Sequence, residues 1–173
     1  MNRAEKERAF VGLFQENKAR VLRLCHGFLG SEEEAEDLFQ EIMVSVWNSL
    51  ETFRGEARLT TWLYRIAVNT ALMYRRKRKR HEALLSPLDE ERLPPAAAPA
   101  DTDDNERRVA ELRRAIATLA PQDRLIVTLL LEGLAYKEIA DITGISVNYV
   151  GVKISRIKQL LEKRMTEVAH GTV

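Results

Sequence analysis

Helix breakers constrain this chain most, because they leave few places where the backbone can turn. Its 173 residues include 8 glycines and 5 prolines, and three of the prolines, Pro94, Pro95 and Pro99, stand together. The stretch around them, Leu93 to Asp104, is rich in Pro, Ala and Asp. Proline fixes φ and removes an amide donor, and small or charged side chains bury little, so this stretch reads as an extended, solvated linker. A β-rich chain would need turn residues at short, regular intervals, and they are absent. The reading is all-α: two small helical domains, at 1–82 and 104–173, joined by a flexible linker at 83–103.

The apolar spacing supports helices on both sides of the linker. Phe10, Phe14, Val21, Cys25 and Phe28 recur at helical intervals. Ser31 with Glu34 reads as a capping box, and Glu32 and Glu33 suit the positive end of a helix dipole. Ala35, Leu38, Phe39, Ile42, Met43, Val46, Trp47, Leu50 and Phe53 then form a sustained stripe. The segment from Arg54 to Arg58 reads as a loop. Thr60 is placed to cap a third helix, with Leu63, Ile66, Ala67 and Tyr74 on one side, that runs into Arg75-Arg76-Lys77-Arg78-Lys79-Arg80. Beyond the linker, a helix is expected from Asp104 to Leu119. Another starts at Pro121, which suits a first turn. Short and long helices follow at Tyr136–Ile142 and from Ser146 to about Met165.

Two segments point to nucleic acid. The first is a helix–turn–helix from Tyr136 to Ile157. Ala140 lets two helices approach, Gly144 supplies a left-handed turn, and Val150 anchors the second helix. Val147, Val150, Ile154, Ile157 and Leu161 point inward; at about 100° per residue the opposite face shows Asn148, Tyr149, Val152, Ser155, Arg156 and Gln159, with Lys153 on the flank. Asn and Gln pair with adenine, Arg with guanine or phosphate, and a valine meets a thymine methyl. The alternative at this stage is a plain helical hairpin with a solvated basic face. The second segment is Arg75 to Arg80, which attracts phosphate. It extends a helix bearing Arg65, Asn69 and Arg76 near the aromatics Trp62, Tyr64 and Tyr74, a pattern that holds single strands by charge and stacking. Trp62 and Tyr64 taken singly read rather as core.

The totals hide these blocks. With 27 Lys+Arg against 26 Asp+Glu, the net charge is +1, which excludes a uniformly basic binder and an acidic solvating tail. Yet Glu32 to Glu41 is acidic, Arg75 to Arg80 basic, Asp89 to Glu106 mostly acidic, and the last helix basic again. Asp37, Gln40, Glu41 and Asn48 form a face that DNA would repel, left to a basic protein partner or to solvent.

Little suggests chemistry. Cys25, the only cysteine, excludes an intrachain disulfide framework and a multi-cysteine zinc site. Cys25 and His26 point apart on a helix, and Cys25 falls on the apolar stripe. His81 and His170 have no spaced ligand partners. We expect no catalytic set, no metal and no cofactor. No apolar run approaches the roughly 18 residues that span a membrane, and Met1 to Phe10 lacks an apolar core, so no membrane insertion and a cytoplasmic location are expected.

At this point the residues resemble a family. Glu36-Asp37-Leu38-Phe39-Gln40-Glu41, Val46-Trp47, Phe53-Arg54-Gly55-Glu56-Ala57 and Thr61-Trp62-Leu63-Tyr64-Arg65-Ile66-Ala67 with Asn69 resemble region 2 of the extracytoplasmic-function sigma factors, the small members of the sigma-70 family of bacterial initiation factors. Leu119 to Arg124, Tyr136 to Ala140, Gly144-Ile145-Ser146 and Val150 resemble region 4. The resemblance implies a sigma factor that directs core RNA polymerase to promoters and promotes strand opening. It implies that Asp37, Gln40 and Glu41 dock on the β′ clamp helices. It implies that Phe53, Arg54, Gly55, Trp62, Arg65, Asn69 and Arg76 meet the minus-ten element, the loop from Phe53 to Leu59 taking up a flipped base. It implies that Ser146, Asn148, Tyr149, Val152, Lys153, Ser155 and Arg156 meet the minus-thirty-five element, and that region 4 meets the β flap. An anti-sigma factor is an expected partner. The chain departs from the common pattern at Gly151 and Lys153, where the family often has Lys and Arg. Two other readings stay open on the residues alone: a helix–turn–helix repressor or activator that dimerises, and a helical adaptor that binds only protein.

Overall fold

The structure is a computed structural model that describes residues 2–29, 31–55, 58–85 and 104–170, with side chains up to 81 in the third helix and 166 in the last. The expected linker therefore falls almost wholly outside the described residues, as do Glu56 and Ala57 of the loop after the second helix. The described residues form seven α-helices and one short 3₁₀ turn. They are α1 (Arg3–Leu29), α2 (Glu32–Ser49), the 3₁₀ turn (Leu50–Thr52), α3 (Leu59–Leu85), α4 (Asp104–Ala117), α5 (Pro121–Leu131), α6 (Tyr136–Thr143) and α7 (Val147–His170).

The apolar stripes become the core as expected. Val21, Leu24, Cys25 and Phe28 of α1 are fully buried. Ala35, Leu38, Ile42 and Val46 of α2 face them, and Leu63, Ala67 and Ala71 of α3 complete a three-helix bundle. Asn17, buried within α1, donates its amide to the Leu13 carbonyl at 2.9 Å, so its polar end is satisfied inside the helix. In the second half, Leu125 and Leu129 of α5, Ile139 of α6 and Val150, Ile154, Ile157 and Leu161 of α7 form the inner face.

The helix ends follow the sequence in part. Pro121 occupies the first turn of α5. Gly144 ends α6 at φ 74°, the left-handed region that a side chain disfavours. Ser146 accepts the Tyr149 amide at 3.2 Å and so caps α7. Three expectations fail. Ser31 is the N-cap of α2 but makes no side-chain cap; Glu34, expected to complete the box, pairs with Arg78 of α3 instead. Thr60 lies inside α3, because the Arg58 carbonyl already accepts the Trp62 amide at 3.0 Å. Phe53 lies beyond α2, where the chain tightens into the 3₁₀ turn and the Phe53 amide bonds Leu50 at 3.3 Å.

The two bundles pack on each other. Helix α1 lies against α2 and α3 on its own side and against α4 and α5 on the other, and α3 lies against α6. The approach is close at Gly27: a Cβ there would sit 2.6 Å from the Thr128 hydroxyl oxygen of α5. Only hydrogen fits, so this glycine sets the distance between α1 and α5.

Leu38→Ala should therefore lower unfolding free energy by about 2–5 kcal/mol in urea titration, while Val44→Ala, at a position 59% exposed on the same helix, should move it by less than about 0.5 kcal/mol.

Candidate nucleic-acid interface

The outer face of α7 is built as the periodicity requires. Val150, Ile154, Ile157 and Leu161 hold the helix from within, leaving Asn148, Tyr149, Val152, Ser155, Arg156 and Gln159 exposed. Tyr149 and Val152 are 47% and 45% exposed, large apolar groups left in water. Val147, read as inward, is the first residue of α7 and is 45% exposed. Lys153 is not free on the flank. Its ammonium lies 2.7 Å from Asp123 of α5 and 5.8 Å from the Tyr149 ring, which ties the recognition helix to the helix behind it. Ser146 is exposed, with its hydroxyl oxygen engaged in the cap. At Gly151 a side chain would meet only the Tyr136 ring, at an ordinary 3.8 Å; packing within the chain does not require glycine there.

A second polar face lies on α3. Arg65, Asn69 and Arg76 are exposed, and so are Lys77, Arg78, Lys79 and Arg80. Arg65 is engaged: its Nε and Nη2 donate to the Asp141 carbonyl of α6 at 3.1 and 2.7 Å. Trp62 is half-buried, its ring 5.2 Å from that of Phe53. Arg54 and Gly55 are exposed, and Gly55 has φ 73°, a left-handed turn that ends the descent from α2. Tyr64 follows its single reading. At 1% exposed it is core and has no ring face for a base. Its hydroxyl makes no hydrogen bond among the described residues, and burial first, then the Glu132 carboxylate, pushes it up to about 12. Tyr74 is half-buried and raised as well, by burial and then by Asp37 and Glu41.

The acidic face of α2 lies beside the basic run. Asp37, Gln40 and Glu41 are exposed, and Glu41 sits 4.0 Å from Lys77. Val44 stands on the same face, four residues after Gln40, and with Met73 of α3 it is among the most exposed apolar side chains, at 59% and 66%. The sequence reading missed it, although its spacing from Asp37 and Gln40 was available. Exposed apolar groups amid carboxylates suit a protein surface better than DNA.

No group of three or more His, Cys, Asp or Glu side chains converges on a possible metal position among the described residues. Cys25 is fully buried, and burial pushes its thiol up to about 12.

Comparison with known proteins places both faces in one family. The family model described as Sigma-70 region 2 matches residues 13–81, and that of Sigma-70, region 4 matches residues 110–161. The chain is 33% identical to the ECF RNA polymerase sigma-E factor of Haemophilus influenzae over 168 residues, covering 92% of this chain and 88% of that protein. It is 30% identical to the RNA polymerase sigma-H factor of Pseudomonas aeruginosa over 168 residues, with 92% and 87% covered. Its fold matches the sigma factor RpoE of Bartonella quintana, solved with the anti-sigma factor NepR, at a TM-score of 0.73 and 23% identity, covering 90% of this chain and 97% of that one.

The Cys25 thiol provides a check on the core beneath these faces. A thiol raised to about 12 is almost wholly protonated at pH 8, and only the thiolate is alkylated. Folded protein should therefore resist iodoacetamide at pH 8 and react once denatured; rapid labelling of the folded chain would contradict the burial.

Proposed function

The chain belongs to the extracytoplasmic-function type of the sigma-70 family, the factors that direct RNA polymerase to promoters, and we propose that its two helical domains divide that task. Residues 1–82 act as region 2, 83–103 as a connector and 104–173 as region 4. Asp37, Gln40 and Glu41, with Val44 among them, dock on the polymerase β′ clamp helices. Phe53, Arg54, Gly55, Trp62, Arg65, Asn69 and Arg76 engage the minus-ten element. Ser146, Asn148, Tyr149, Val152, Ser155 and Arg156 meet the minus-thirty-five element. Lys153 acts there chiefly through its tie to Asp123, which holds the reading helix at a fixed angle.

One observation carries this reading: a single chain exposes an acidic face with apolar side chains on α2, and two separate basic faces on α3 and α7. A simple DNA-binding dimer needs only the last of these. Region 4 enters a major groove, and region 2 holds an unstacked base. Extruding a base costs a few kcal/mol, and contacts of the flipped base with the Phe53–Trp62 pair and the Arg54–Gly55 turn would offset that cost. No bond is made or broken, so the role proposed is that of a non-enzymatic initiation subunit working beside polymerase in the cytoplasm. An anti-sigma factor is a proposed partner, because the Bartonella quintana neighbour was solved with one.

Run-off transcription with core polymerase tests the whole reading. The chain should start transcripts at a promoter class that core enzyme alone ignores; absence of promoter-specific starts would overturn it. Changing Asp37 and Glu41 together to lysine should abolish polymerase binding with helical content unchanged, and retained binding would refute the docking assignment. Arg156→Ala should weaken binding to a cognate minus-thirty-five site by about 1–3 kcal/mol. An affinity unchanged by that substitution would remove Arg156 from the reading face.

A further inference from the structure

The inward stripe of α3 fixes which way the rest of that helix looks. Leu63, Tyr64, Ala67 and Ala71 are at most 1% exposed. At about 100° per residue, the opposite side carries Trp62, Asn69, Met73, Arg76 and Arg80 as one stripe. Met73, at 66%, is the most exposed large apolar side chain among the described residues. Met43 and Met165 pack against the core instead.

A single apolar group in water is ordinary, but the neighbours of Met73 set it apart. Asn69 stands one turn before it and Arg76 one turn after, both exposed, and both belong to the face proposed for the minus-ten element. Turns of a helix are about 5.4 Å apart, so a strand that touches Asn69 and Arg76 covers Met73 as well. Charge around Met73 is uneven. On the side facing α2, Lys77 lies 4.0 Å from Glu41, and Arg78 pairs with Glu34, so carboxylates offset those cations. Arg76 lies on the side away from α2. A phosphate backbone is repelled by the carboxylate edge and drawn to the arginine side, which turns its bases toward the thioether.

We propose that Met73 is a base-contacting residue of the minus-ten surface. Its thioether lies against the face of an unpaired base, on a strand running from the Phe53–Trp62 pair to the basic end of α3. A thioether is a poor partner for phosphate, but it is polarizable, adaptable and favourable against an aromatic ring. Proteins that part base steps use apolar side chains of this kind as wedges. In a closed duplex the base faces are stacked on one another, so the contact becomes available only on opening and favours the open form. Trp62 and Met73 are about 16 Å apart along the helix at 1.5 Å per residue, so they touch different bases. The contact presupposes the reading of α3 as the minus-ten surface.

The test uses holoenzyme, the full chain with core polymerase, on two forms of a promoter that it starts from. One is fully duplex, bound in the cold where the strands stay paired. The other is a fork whose minus-ten bases are unpaired on one strand. Met73→Gln keeps the helix propensity and replaces the apolar end with an amide; Met73→Leu keeps both helix propensity and apolar character. Met73→Gln should weaken fork binding roughly fivefold to tenfold, a fraction of the value of a fully buried apolar side chain, and leave duplex binding unchanged. Met73→Leu should bind the fork as the parent does. Arg76→Ala should lower the slope of log affinity against log salt by about 1, whereas Met73→Gln should leave that slope as it is. Fork binding unchanged in Met73→Gln but weakened in Asn69→Ala and Arg76→Ala would overturn the Met73 contact and keep the minus-ten reading. Fork binding unchanged in all three would overturn that reading too. Equal losses on fork and duplex, or a loss of affinity for core polymerase without DNA, would also overturn the base contact; the latter would place Met73 with Val44 in protein docking.

Discussion

Helix α1 is buried from two sides, and the arrangement of the molecule depends on that. A surface helix normally hides one stripe. Here Leu24, Cys25 and Phe28 are fully buried and the helix packs on α2 and α3 of the same bundle, while its Gly27 side meets α5 of the other bundle. The seam between the halves is thus set at a glycine, where backbone replaces side chain at the contact. Whatever orients α1 orients both DNA-reading helices, because α3 packs directly against it and α7 packs on α5, which does so too.

Electrostatics is organised on top of that packing. The near-zero net charge is a sum of faces assigned to different tasks. Acids of α2 stand beside the bases of α3, as Glu41 with Lys77 and Glu34 with Arg78. These are mostly exposed pairs, worth little for stability, so their placement says more about which partner each face admits. The bridges between halves differ in kind. Glu132, paired with Arg23, is nearly buried, and Arg65 engages a helix end in place of a carboxylate. They connect the surface proposed for promoter recognition to the geometry of the free chain.

Much of this was legible in the residues. The periodicity located every described helix, because amphipathic stripes have one stable solution in an all-α chain. Gly144 and Ser146 marked the helix–turn–helix because each does a single local job. What was missed depended on long-range neighbours. The Ser31–Glu34 box failed because Arg78, forty-odd residues on, competed for Glu34. Lys153 looked exposed on the flank until Asp123 met it, whereas Tyr64 is core, as its single reading had it. The docking between halves left no local signal at all: Arg23, Glu132 and Asp141 are ordinary surface residues in any window of sequence.

Strand opening is the step that requires region 2 to hold separated DNA, as the account proposes. Permanganate reactivity of thymines in the minus-ten element, measured on duplex promoter with core polymerase, tests it most directly. With this chain present those thymines should become reactive, and the reactivity should fall sharply when Trp62 is changed to Ala. Promoter-bound holoenzyme in which the minus-ten thymines stay unreactive would contradict it.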